Sequence, residues 1–143
     1  MLVSDVMNTD VKTISPDENV LEAAMTMVEF KIGCLVVTRK DMLAGIITDS
    51  DIMERVVAED KRASEVKVRE VMTKDLVLIE HDRDISDAAD IMDKSNIKKL
   101  PVISGKSLVG ILTAADLAKA QPALVEKISS LMVFPKKRKN IAG

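Results

Sequence analysis

Residues 6–51 and 71–116 are one pattern written twice. At a fixed offset of 65 positions they share 16 identities without a gap, several times the chance level. Val6-Met7 meets Val71-Met72, Ala23-Ala24 meets Ala88-Ala89, and Leu35 and Val37 meet Leu100 and Val102. The match ends on GIITDSD (45–51) and GILTAAD (110–116), which keep Gly, Thr and Asp in the same places. A duplication of this kind implies two like units. A unit of about 60 residues buries too little surface to be robust alone, so two docked copies sharing a core are expected.

Each copy shows the same order of elements. Short strand candidates at 11–15 and 76–80 are rich in aliphatic residues. A helix follows, with apolar positions 20, 23, 24 and 27, and again 85, 88, 89 and 92. That is the i, i+3, i+4, i+7 stripe of an amphipathic helix. Asn19 and Asp84 are the expected N-caps. Strand pairs follow at 34–38 and 44–48, and at 99–103 and 109–113, with Gly105 suited to the second turn. They are almost wholly apolar, so they should be buried on both faces or line an interface. A second helix starts at Thr48 or Thr113, and Ile52, Met53, Val56 and Val57 supply its apolar face in the first copy. The fold class expected is α+β, built from two β-α-β-β-α repeats. Boundaries fall at 1–60, 68–121 and a C-terminal 122–143, with 61–67 as a polar connection.

Composition narrows the function. The chain has a formal charge of −2, one cysteine, no Trp or Tyr, and only Phe30 and Phe134 as aromatics. Base stacking on aromatic platforms is excluded, and nucleic acid is an unlikely partner. No apolar run reaches the length of a membrane span. The first ten residues do not read as a secretory signal, and a lone thiol fits the cytoplasm. His81, the only histidine, has no spaced metal ligands around it and reads as a surface residue; no metal site is expected. Cys34 reads as a packed small hydrophobe. No Ser-His-Asp or Cys-His set is recognisable, so no catalysis is expected.

The repeated G-h-h-T-x-x-D-h corner (h, apolar) admits two readings. One is a capping box, with Thr48 or Thr113 capping the helix and Asp51 or Asp116 in its first turn. The other is a cradle: a Thr hydroxyl for a phosphate, and a carboxylate that accepts from two ribose hydroxyls.

On these corners, the DVM…TISPD start and Leu100-Pro101-Val102, the chain resembles a tandem pair of cystathionine β-synthase (CBS) domains, the Bateman module. The resemblance covers about residues 1–120. It implies two sheets packed with pseudo-two-fold symmetry, and clefts between the repeats that take adenine nucleotides or related adenosyl compounds (AMP, ADP, ATP, S-adenosylmethionine). It assigns ribose to Asp51 and Asp116, and phosphate to Thr48 and Thr113. Adenine would lie against Ile14 and Ser15, or Leu78 and Ile79, with Pro101 as a further edge. The nucleotide would be a regulatory ligand, no other cofactor is implied, and a homodimer and an unidentified protein partner are expected.

The two corners are not equivalent in charge. Lys98-Lys99 stand where the first copy has Gly33-Cys34, and Ala114-Ala115 where it has Asp49-Ser50. The resemblance gives basic residues before the L-P-V strand to phosphate. The corner of Thr113, Asp116, Lys98 and Lys99 is therefore expected to be the better phosphate site. Residues 122–134 suit a last amphipathic helix or an apolar tail, and 136–139 form a basic run, solvated or meeting an acidic partner or nucleic acid. A dimerising scaffold with vestigial clefts is the alternative function.

Overall fold

The computed structural model describes residues 1–132; the basic run at 136–139 lies outside them. In chain order the elements are α1 (Val3–Val6), β1 (Thr13–Ile14), α2 (Val20–Phe30), β2 (Cys34–Arg39), β3 (Met42–Thr48) and α3 (Asp49–Ile52). Then come α4 (Val68–Val71), β4 (Ile79–Glu80), α5 (Ile85–Ser95), β5 (Lys99–Ser104), β6 (Ser107–Thr113), α6 (Ala114–Ala120) and α7 (Val125–Met132). The class is α+β, with two three-stranded sheets ordered β1-β2-β3 and β4-β5-β6. In each, the first strand pairs parallel with the second and the second antiparallel with the third.

The sequence signals act where they were read. The Asn19 side chain accepts from Glu22 N–H at 2.9 Å, and Asp84 accepts from Ser86 N–H at 2.9 Å. The Ser86 hydroxyl and N–H hold the Asp84 carboxyl down to about 2. Arg39, and behind it Arg69, lower Asp17, which joins the turn before α2 to the hairpin tip and to α4. The β2–β3 hairpin turns on Lys40 and Asp41, both at positive φ, the pattern of a type I′ turn. In the other hairpin Gly105 alone takes a positive φ among the described residues. Leu35, Val36 and Val37 are all buried, as are Leu100, Pro101 and Val102, so both faces of each sheet are covered as expected.

Three expectations change. The first strands shrink from five residues to two: β1 stops before Ser15, which enters a turn by accepting Glu18 N–H through its carbonyl and Asp17 N–H through its hydroxyl, while β4 starts only at Ile79. Met53 and Val57 do not join the apolar inner face; they are 66% and 68% exposed, while Val56 is buried. The helix buries only one side, and these two occupy the next ridge outward. His81 is half-buried rather than a surface residue, since its carbonyl accepts Ser4 N–H of the N-terminal arm. Of the C-terminal segment, Val125–Met132 is a helix: Ile128 and Leu131 are buried, as is Leu124 just before it, and α7 contacts α5 and α6. Among the described residues no helix is long and apolar enough to cross a membrane.

The chain forms two compact units, one of Val11–Leu76 and one of Met1–Asp10 with the chain from Val77 onward. In the first, Val20, Ala23, Met27, Leu35, Val37 and Ile47 pack with Val68 and Val71 of α4. In the second, Ile85, Ala88, Met92, Leu100, Leu112 and Leu117 pack with Val3 of α1. Each Val, Leu, Ile or Met among them contributes roughly 1.5–3 kcal/mol by leaving water. The arms also extend the sheets. Thr73 exchanges backbone hydrogen bonds with Ile46 (2.8 and 3.1 Å), and Asn8 with Ile111 (2.8 and 2.9 Å).

Candidate ligand-binding site

Both repeats close on a strand-to-helix corner, and an arm crosses the strand just before it. A Cβ on Gly45 would stand 2.8 Å from the Thr73 carbonyl oxygen; one on Gly110 would stand 2.6 Å from Met7 Sδ and 3.0 Å from the Asn8 carbonyl oxygen. Glycine is required there by close approach, and the repeated Gly is explained by the arm.

The corners themselves are capping boxes. Thr48 Oγ1 accepts Asp51 N–H at 3.1 Å, and Asp51 Oδ2 accepts Thr48 N–H at 2.9 Å. Thr113 and Asp116 repeat this at 3.1 and 3.0 Å. Gly33 and Lys98 supply equivalent carbonyls, to Asp49 N–H at 3.0 Å and Ala114 N–H at 2.8 Å. Each Thr hydroxyl has accepted once and still has a proton to donate.

Beyond this shared frame the corners differ. Ser50 N–H is taken by Asp49 Oδ1 at 2.8 Å, and Asp51 Oδ1 faces Arg55 Nη1 at 3.8 Å. In the second repeat, Ala114 has no carboxylate to offer. Among the described residues, neither Ala115 N–H nor Asp116 Oδ1 has a hydrogen-bond or ionic partner. A donor and an acceptor thus stand open side by side. Asp51 is buried and Asp116 half-buried.

The remaining expected residues sort by unit. Lys99 is the ladder partner of Thr113, as Cys34 is of Thr48. Lys98 is exposed, Lys99 and Cys34 half-buried. The structure therefore gathers Thr113, Asp116, Lys98 and Lys99 at one corner. Ile14 is half-buried and pairs with Val37, which pairs with Gly45; Ser15 is exposed. Leu78 is half-buried, while Ile79 lies in its unit's apolar core. Pro101 is buried opposite Ile111. Sequence reading passed over two features. Arg55 carries no motif of its own. Glu80, His81 and Asp82 bring ligand atoms within 4.8 Å of one another as consecutive residues, a spacing that a search for separated ligands does not register.

The comparisons with known proteins agree on one family. The CBS domain model matches residues 3–58 and 68–123. The CBS domain-containing protein YhcV of Bacillus subtilis is 36% identical over 119 residues, covering 83% of this chain and 84% of its own. A putative signal-transduction protein with CBS domains from Burkholderia ambifaria superposes with a TM-score of 0.82 at 26% identity, over 86% of this chain and 95% of that one. The CBS domain pair of protein MJ0100, solved with 5′-methylthioadenosine and S-adenosyl-L-methionine, gives 0.78 at 27% identity, over 86% and 97%.

Proposed function

The chain belongs to the CBS domain family as a tandem pair, and from that premise we propose that it is a cytoplasmic ligand-sensing module for an adenine nucleotide or related adenosyl compound, bound first at the Thr113/Asp116 corner. The observation that carries this is the uncommitted pair there, Asp116 Oδ1 and Ala115 N–H, with Lys99 in register beside Thr113. Asp116 accepts the ribose hydroxyls. The Thr113 hydroxyl and the Lys98 and Lys99 ammonium groups meet phosphate. Half-buried Leu78 and buried Pro101 offer aliphatic edges to adenine, as Ile14 and Ser15 do in the other repeat. Nothing in this arrangement calls for bond-breaking chemistry. Binding acts by shifting a conformational equilibrium that an unidentified protein partner reads, which requires different affinities for the two states. The adenosyl ligands of the MJ0100 pair support the ligand class.

We also propose a homodimer. Leu21, Met25 and Val28 recur at i, i+4 and i+7 on the outer side of α2, with Met25 55% and Val28 77% exposed. Ser86, Asp90 and Asp93 stand at the equivalent α5 positions, 65 residues on. There α7 packs on α5 and α6, and Lys127 pairs with Asp90 at 3.0 Å. The chain covers one helical face itself and leaves its counterpart apolar. Met53 and Val57, on the helix after Thr48, are also exposed apolar residues, at 66% and 68%.

A thermal-shift screen with AMP, ATP, S-adenosylmethionine and NAD tests the sensor. A true ligand at 100 times its dissociation constant adds about 2.7 kcal/mol, and Asp116→Ala should abolish its shift. Both Thr-x-x-Asp pairs already satisfy their own backbone, and this favours a second reading, a dimerising scaffold without ligand. Absence of any shift with every adenosyl compound would establish that reading instead.

A further inference from the structure

We infer that Arg55 keeps the first-repeat corner closed to a ribose diol, so that a single tight adenosyl site per chain remains, at Asp116. This rests on the ligand reading just given. Asp51 is 8% exposed, and both of its carboxylate oxygens are engaged. Oδ2 accepts Thr48 N–H, and Oδ1 faces the Arg55 guanidinium at 3.8 Å. Arg55 is itself anchored, because the same Nη1 donates to the Val71 carbonyl of α4 at 2.6 Å. It lies in a π turn, Met53–Val57, closed by Ala58 N–H to the Met53 carbonyl at 2.8 Å. Such an extra residue in a helix is often a device for placing one side chain.

The second repeat lacks every part of this clamp. Ala120 holds the position of Arg55, four residues past Asp116, and α6 stays regular from Ala114 to Ala120. A ribose diol that bridges both oxygens of Asp51 must displace a guanidinium that stands 3.8 Å from a mostly buried carboxylate. That exchange gives up the attraction of a guanidinium at 3.8 Å for neutral hydroxyl donors. The same diol meets Asp116 Oδ1 with no cation to displace. Each hydrogen bond a diol makes to a carboxylate shifts affinity about tenfold or more, so Asp51, whose Oδ1 is held by Arg55, and Asp116, whose Oδ1 is open, differ by about that factor.

The test is calorimetric titration of 5′-AMP into the full chain and its variants. The wild type should bind one equivalent, and Asp116→Ala should bind none in the same range. Adding Arg55→Ala to Asp116→Ala should restore one equivalent, at least about tenfold tighter than the single variant allows. Arg55→Gln, which keeps a neutral donor for the Val71 carbonyl, should do the same if the alanine variant folds poorly. Ala120→Arg alone should weaken the wild-type site by a similar factor. The inference is overturned if folded Arg55 variants leave Asp116→Ala without a site, or if Asp116→Ala keeps the wild-type site. Binding that ignores residue 55 overturns this inference alone. No binding by any variant overturns the ligand reading together with it.

Discussion

Lys31 and Asn96 occupy the same place in the two repeats, and both end an eleven-residue helix at φ 55° and ψ 46°. Left-handed backbone suits Asn and costs a Cβ-bearing lysine about 1 kcal/mol. Lys31 is exposed, so its side chain has little packing to lose. Lys31→Gly should raise the unfolding free energy by roughly 0.5–1 kcal/mol, read as a higher urea midpoint at unchanged slope, and Asn96→Gly should change it less. Equal effects at both positions would mean the strain is not where the dihedrals put it. The same scale shows what was legible at the site. Thr48, Asp51, Thr113 and Asp116 stood out because they recur, and both readings of them survive: they cap the helices, and Asp116 keeps one oxygen to spare. The difference between the corners was half visible, in Asp49-Ser50 against Ala114-Ala115. Arg55 was invisible, because its role depends on a π turn and on a carbonyl from α4, neither of which has a local signature.

At the scale of elements, the arms explain most of what the repeat left open. Val6-Met7 and Val71-Met72 match each other whichever repeat they pack on, so sequence symmetry cannot reveal that α1 joins the unit of β4–β6. Helices α2 and α5 were readable because their stripes and caps are local. The two-residue strands β1 and β4 were overread, since apolar residues that support a sheet from a turn look like strand residues. Gly45 and Gly110 record the arm crossing. Gly45→Ala places a Cβ against the Thr73 carbonyl oxygen, which cannot swing aside as a side chain does. The expected cost is about 1–3 kcal/mol of stability, measured by chemical denaturation. Melts indistinguishable from wild type would show that the arm sits more loosely than its hydrogen bonds at 2.8 and 3.1 Å imply.

At the scale of the whole molecule, the two halves share a plan and differ in what faces outward. Mean hydropathy is +0.11 for the chain, yet its exposed apolar residues concentrate on α2 and the helix after Thr48. Met25→Glu with Val28→Glu should leave the fold intact and shift sedimentation from dimer to monomer. A wild type that sediments as a monomer at all concentrations would remove the homodimer from the proposal. One further consequence follows from the first ten residues belonging with the chain from Val77. During synthesis, Val11–Leu76 can close as soon as it leaves the ribosome. The arm, made well before the chain it packs on, waits with its apolar Val3 uncovered until β6 arrives. The arm is therefore seated long after it is made, once the chain through β6 has emerged to receive it.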